Sequence, residues 1–232
     1  MVQTKPNKPR GRRKLKGTQS PKAAMEETRQ DILHAATQEF VKNGYNGASV
    51  SAIANRTKTS QRMLYYHFRG KEELYRTVLE AGYKRMFESA PKIEAVLQDP
   101  LTALKNFAGQ TFDRHLENED FVRLIMVENI AGAKTVSGSD VARLLGRDNL
   151  ADLEIAVQRG IKDHVFRPDL EANDVYAIVA GLSFNAVSNR HTMQTLIGFD
   201  LTDEIDRADR RTLIVEAAWR FATAQQDALT NV

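Results

Sequence analysis

The 232-residue sequence predicts an all-α fold. Three observations carry that prediction. Apolar residues recur every third or fourth position, as in Ile32, Ala36 and Phe40 or in Leu74, Val78 and Leu79, which is the spacing of one helix face. Alternating strand-like stretches are absent. Between the apolar stripes stand residues that start or stop helices: Gly44 as a left-handed stop with Tyr45 packing back, Ser49 and Ser60 as N-caps, and Asp99 before Pro100.

Residues 1–25 carry three Pro, two Gly and almost no large apolar side chain. They cannot bury enough surface to offset the entropy of ordering and are expected to form a disordered basic arm. From Glu26 the pattern turns helical, with Leu33 and Val41 flanking the Ile32, Ala36, Phe40 stripe. A short helix follows Ser49, with Val50, Ile53 and Ala54 inward. After the polar run Arg56 to Thr59 a second short helix follows Ser60, with Leu64 and Phe68 inward. These make a first domain over 26–70. A connecting helix over 71–90 has Leu74, Val78, Leu79 and Met86 as its stripe.

The remaining residues, 91–232, read as a helical bundle. The helix opened by Pro100 carries Leu101, Leu104, Ala108, Thr111, Phe112 and His115 at helical spacing. Further helices are expected at about 119–131, 140–163 with a break point at Gly146, 172–197 and 203–226. No internal repeat is present.

Composition narrows the function classes. Without cysteine there is no disulfide framework, thiolate zinc site, iron–sulfur cluster or cysteine nucleophile, and a reducing compartment is the natural setting. No apolar run approaches the ~18 residues of a membrane span, since the densest, Leu124 to Val127, is soon broken by charge. The basic N-terminus has no apolar segment behind it, so a cytoplasmic protein is expected rather than an exported one. Charge is unevenly spread. Residues 1–25 carry eight cations and no acid, residues 26–90 ten cations and eight acids, and residues 91–232 fifteen cations and twenty-two acids. A basic arm, a mildly basic head and an acidic body suggest that a polyanion is met at the N-terminal end; charge alone fits a solvated tail equally well.

Two short helices behind a longer supporting one are the outline of a helix-turn-helix, whose second helix enters the DNA major groove. On the helix after Ser60 the side chains of Gln61, Arg62, Tyr65, Tyr66 and His67 project away from Leu64 and Phe68. Gln pairs with adenine and Arg with guanine in a bidentate manner, while Tyr and His can donate to phosphates. The plainer explanation is an exposed amphipathic helix that happens to carry aromatics.

The stretch Thr59-Ser60-Gln61-Arg62-Met63-Leu64-Tyr65-Tyr66-His67-Phe68-Arg69-Gly70-Lys71-Glu72-Glu73-Leu74 resembles the DNA-binding signature of TetR-family transcriptional regulators. The likeness extends back through Ile32, Leu33, Ala35, Ala36, Phe40, Gly44, Tyr45, Ser49, Ile53 and Ala54, so that it covers about 60 residues. It implies an all-helical homodimer: a three-helix DNA-binding head followed by a ligand-binding and dimerisation bundle. Such a protein binds a near-palindromic operator and leaves it when a small-molecule effector occupies the body. By position the resemblance makes Gln61 and Arg62 base readers, gives Tyr65, Tyr66 and His67 mainly phosphate contacts, puts Lys71 on the DNA backbone, and sets Ser51 and Ser60 within reach of DNA. The departures lie in the turn and just after it: Lys58 where the family usually has Gly, Thr57 and Thr59 for apolar residues, Arg62 and Met63 for smaller ones. The segments 121–129, 165–169 and 188–192 resemble those of one TetR subgroup.

The five histidines form no HExxH motif or close helical pair, and no GxGxxG or Walker sequence is present. Neither enzymatic activity nor a cofactor or metal is expected. For the effector, Phe112, His115, Met126, Asn129, Phe184, Asn185 and His191 combine apolar walls with a few polar groups, although a satisfied core histidine explains His115 as well. Leu213, Ala217, Phe221 and Ala224, with the small Ala177 and Gly181, fit either core or dimer packing by the last two long helices. The expected function is a ligand-released, dimeric repressor. Its rivals are a nonspecific nucleoid-type protein using the basic arm and, from another class, a helical enzyme.

Overall fold

In the computed structural model, residues 20–57, 59–88 and 99–223 are described. Their order is α1 (Pro21–Gly47), α2 (Val50–Arg56), α3 (Gln61–His67), α4 (Lys71–Glu88), α5 (Pro100–Glu117), α6 (Glu119–Ile130), a 3-10 turn (Val136–Gly138), α7 (Asp140–Lys162), α8 (Ala172–Ser188), α9 (Arg190–Ile197) and α10 (Glu204–Thr223). There is no strand among them, and the protein is all-α. No helix among the described residues is long and apolar enough to cross a membrane.

Most helix starts follow the expected chemistry. The hydroxyls of Ser49 and Ser60 accept the N–H groups of Ala52 and Met63 at 3.3 and 3.2 Å, and the Asp99 carboxylate accepts that of Thr102 at 2.9 Å. α1 differs: it begins at Pro21, so five residues assigned to the arm are helical. Ser20 caps it by accepting the Ala23 N–H, and Pro21 stands where its missing N–H costs nothing. The arm residues 1–19, Lys58 in the turn, the connection 89–98 and Ala224 with the end of the last helix lie outside the described residues.

Gly44 interrupts α1 with a φ of 65°, a left-handed conformation that glycine adopts without a Cβ penalty. The kink lets Tyr45 turn back to meet Tyr75 at a ring separation of 5.1 Å, and Tyr75 in turn meets Phe40 edge-on at 4.8 Å. Two further boundaries depart from expectation. α7 runs unbroken through Gly146, because nothing packs near that position to bend it. The expected helix 172–197 is two, divided at Asn189, which ends α8 and opens α9.

One continuous apolar core runs from Ile32 in α1 to Ala222 in α10, so the three-helix head has no core of its own. α10 lies on α5 and α8, α5 also packs on α7 and α8, and the head joins the body where α1 meets α6 and α4 meets α7. Head and body thus share one packed interior among the described residues.

Candidate DNA-binding head and effector cavity

The head is pinned by a buried carboxylate. Glu39, 4% exposed, accepts the backbone N–H of Ser49 at 3.2 Å and the Asn43 amide at 2.9 Å, which joins α1 to the start of α2. Arg56 at the end of α2 reaches back to the same carboxylate at 3.9 Å. Burial of Ile53, Leu64 and Phe68 then fixes α3 against this platform.

What α3 turns outward is the chemistry expected of it. Gln61, Arg62, Tyr65 and Tyr66 are all exposed, Tyr66 by 67%, and their spacing of four places Gln61 above Tyr65 and Arg62 above Tyr66. Arg62 has no carboxylate partner among the described residues. Ser51 of α2 shares the surface, its hydroxyl accepting from the Gln61 amide. Of the other expected contacts, Ser60 and Lys71 are already engaged and His67 is turned aside. The Ser60 side chain caps α3. Lys71 donates to the Asn46 carbonyl at 3.3 Å and lies 4.8 Å from the Tyr45 ring centre. His67 is half-buried between Tyr66 and Phe68, with its Nε2 out of solvent. One step along a short helix turns a side chain by about 100°, and that step carries His67 off the outward face.

The second feature is a cavity of about 320 Å³ in the body. α4 contributes Tyr83 and Phe87, α6 contributes Phe121 and Ile125, and α8 contributes Tyr176 and Phe184, so five aromatic rings stand in the walls. Three expected residues line it: His115, Phe184 and Asn129. The His115 Nδ1 lies 2.7 Å from the Thr111 carbonyl oxygen, an acceptor, so Nδ1 carries the proton and Nε2 is left as an acceptor. Burial holds the pKa of this imidazole below its ordinary value and keeps it neutral. The Asn129 amide donates to its own helix at Ile125. Burial also pushes the Tyr83 hydroxyl up to about 12 and raises that of Tyr176, so both remain protonated.

Four expected residues do not line the cavity. Phe112 is fully buried in the core. Met126 lies one step around α6 from Ile125, and Asn185 one step around α8 from Phe184, where it is exposed. His191 is exposed on α9, beyond the break at Asn189 that redirects the chain. Conversely, Arg114 lines the cavity although it is absent from the expected set. The sequence does carry a signal for it: Phe107, Thr111 and Arg114 stand at i, i+4 and i+7, so the arginine continues an apolar stripe. In α10 the fully buried positions are Ile214, Ala218 and Ala222; of the stripe Leu213, Ala217, Phe221, only Phe221 is partly buried against the core, and Leu213 is 47% exposed. Ala177 and Gly181 are exposed on α8, and Gly181 also lines the cavity.

Comparison with known proteins agrees with this architecture. Residues 32–78 match the family model of bacterial regulatory proteins of the tetR family, and residues 100–218 match that of the tetracyclin repressor-like C-terminal domain. The HTH-type transcriptional repressor NicS of Pseudomonas putida is 31% identical over 193 residues, spanning 83% of this chain and 91% of its own. The HTH-type transcriptional repressor SCO4008 of Streptomyces coelicolor is 24% identical over 192 residues, with 80% and 95% covered. Among solved structures, HlyIIR, a hemolysin II transcriptional regulator, superposes with a TM-score of 0.58 at 22% identity over 87% of this chain and 99% of its own. FadR of Bacillus subtilis, solved with stearoyl-CoA, has a TM-score of 0.58 at 14% identity, with 83% and 98% covered; these two structures speak for the fold alone. The relatives do not support the nonspecific nucleoid-type alternative. With α3 exposed at one end, a cavity at the other and both halves matched by the family's models, this chain belongs to the TetR family and is a DNA-binding transcriptional regulator.

Proposed function

We propose that the protein is a homodimeric repressor that holds a near-palindromic operator through α3 and releases it when a small molecule fills the body cavity. The observation that carries the coupling is the course of α4. Its first turns bury Leu74 and Tyr75 in the core shared with the head, while its last turns place Tyr83 and Phe87 in the cavity wall. Twelve residues separate Tyr75 from Phe87, about 18 Å along a helix, so a ligand that pushes the end of α4 moves the platform of α3.

A single short helix reads few base pairs, and two heads must be held about 34 Å apart, or a multiple of it, to meet successive major grooves. The exposed Ala177 and Gly181 of α8 and Leu213 of α10 offer an apolar face with small residues, suited to close helix packing between two copies. The repressing sense follows the named relatives NicS and SCO4008. Within this reading Gln61 and Arg62 read base edges, Tyr65, Tyr66 and Ser51 position the phosphates, and Lys71 meets the backbone only if it leaves Asn46.

The test is reciprocal linkage. An operator selected from random DNA by the purified protein is titrated with and without a bound cavity ligand. Tenfold weaker operator binding, about 1.4 kcal/mol, must be matched by tenfold weaker ligand binding on the operator complex. Equal ligand affinity in both states overturns the switch.

A further inference from the structure

Arg114 is 93% buried, 7% of its surface remaining accessible, and it lines the aromatic cavity. The single hydrogen bond its guanidinium makes among the described residues is to the Thr111 hydroxyl at 3.0 Å. No carboxylate among them lies within ion-pair distance. Asp113 and Glu117 stand on the same helix and influence it only from a distance; the Asp113 carboxylate is held by Arg211 at 3.0 Å. Tyr176, opposite on α8, is a protonated hydroxyl and offers no negative charge. A guanidinium stays charged and presents five donors in a planar fork, and burying such a cation without a counter-charge is costly. The cost is recovered when the missing partner arrives from outside.

We propose that the effector is a small aromatic carboxylate whose carboxylate group is held in the cavity by Arg114. This rests on the cavity being the effector site. The planar fork matches a carboxylate in a bidentate manner. Five rings in the walls, Tyr83, Phe87, Phe121, Tyr176 and Phe184, suit a flat apolar body. A cavity of 150 Å³ already accepts benzene, so about 320 Å³ has room for one or two rings. The neutral His115 adds one acceptor, Nε2, available to an O–H or N–H on the ring. The acidic body, with fifteen cations against twenty-two acids over residues 91–232, offers no general attraction for anions, so selectivity falls to the one buried cation.

The experiment uses the full chain and three matched pairs of probes: benzoate and benzamide, phenylacetate and phenylacetamide, 1-naphthoate and 1-naphthamide. Direct binding is measured by ligand-observed NMR and calorimetry. At least one carboxylate is expected to bind tenfold or more tightly than its amide. Arg114→Gln should remove that preference, and Arg114→Lys should restore part of it. If no carboxylate outbinds its amide in the wild-type chain, whether both bind equally or neither binds, the proposal is overturned without recourse to any variant. Amides and acids that bind equally, and that compete with operator, would leave the effector-site reading standing and remove only the anion. The effector-site reading fails separately if the cavity-filling variant Ala180→Phe binds the same probes as well as wild type. A carboxylate preference that persists in Arg114→Gln also overturns the assignment.

Discussion

The ring of Phe121 in α6 occupies the space in which a side chain on Gly82 of α4 would stand, and the same ring meets Tyr83 edge-on at 4.9 Å. This is where the helix that carries the head touches the wall of the cavity. Replacing Gly82 by Leu must therefore push α4 away from α6. Overpacking of this kind costs about 1–3 kcal/mol, more than the roughly 1 kcal/mol gained in helix propensity. A lower urea midpoint together with altered operator affinity is expected. As a contrast, Gly146→Ala in α7, with open space around it, should raise stability by about 0.5–1 kcal/mol. An unchanged midpoint for Gly82→Leu would refute the close approach.

On the DNA side, Arg62→Ala should cost about 1–3 kcal/mol on the selected site and relax preference at one position per half-site. Tyr66→Phe should weaken all sites evenly, as removal of a phosphate hydrogen bond does. Binding-site selection with each variant reads the difference; an unchanged profile for Arg62→Ala removes it from the base-reading role.

The basic arm contributes through charge alone. Deleting residues 2–19 removes seven of the eight cations in the first 25 residues. For every phosphate that the shortened chain no longer neutralises, the salt dependence of operator affinity should flatten by about 0.9 in log–log slope, while site preference is retained. A slope unaffected by the deletion would leave the arm as a solvated tail.

For assembly, Ala177→Arg combined with Leu213→Glu places charge on the exposed face of α8 and α10 without touching the cavity or the buried Ile214, Ala218 and Ala222. The expected outcome is a folded monomer with weakened operator binding. Light scattering and circular dichroism decide it, and a wild-type chain that is itself monomeric at micromolar concentration would end the proposal.

His115 sets a pH dependence of stability. Burial lowers its folded-state pKa, so the unfolded chain takes up the proton first as pH falls. Its contribution is fully present above the unfolded value of about 6.5 and is lost as pH drops toward the lower folded value. Between pH 7.5 and 5.5 the wild type should lose more stability than His115→Gln, measured by urea unfolding at each pH. Parallel losses would show that the imidazole titrates alike in both states.

The local facts were legible along the chain because they depend on neighbours in sequence. Ser49, Ser60 and Asp99 cap helices through N–H groups three residues away, and the i, i+4 stripes put Ile32, Ala36 and Phe40 inward. For the same reason the outward set Gln61, Arg62, Tyr65 and Tyr66 could be named from spacing. The cavity is different, since its walls come from five helices separated by up to about a hundred positions. Which of two adjacent residues faces it, Phe184 rather than Asn185 or Ile125 rather than Met126, depends on a rotation that only packing against α4 and α5 decides. Arg114 shows the limit most clearly. Periodicity places it in an apolar stripe, but its lack of a counter-charge is a property of everything that surrounds it, and that exists only once the chain has folded.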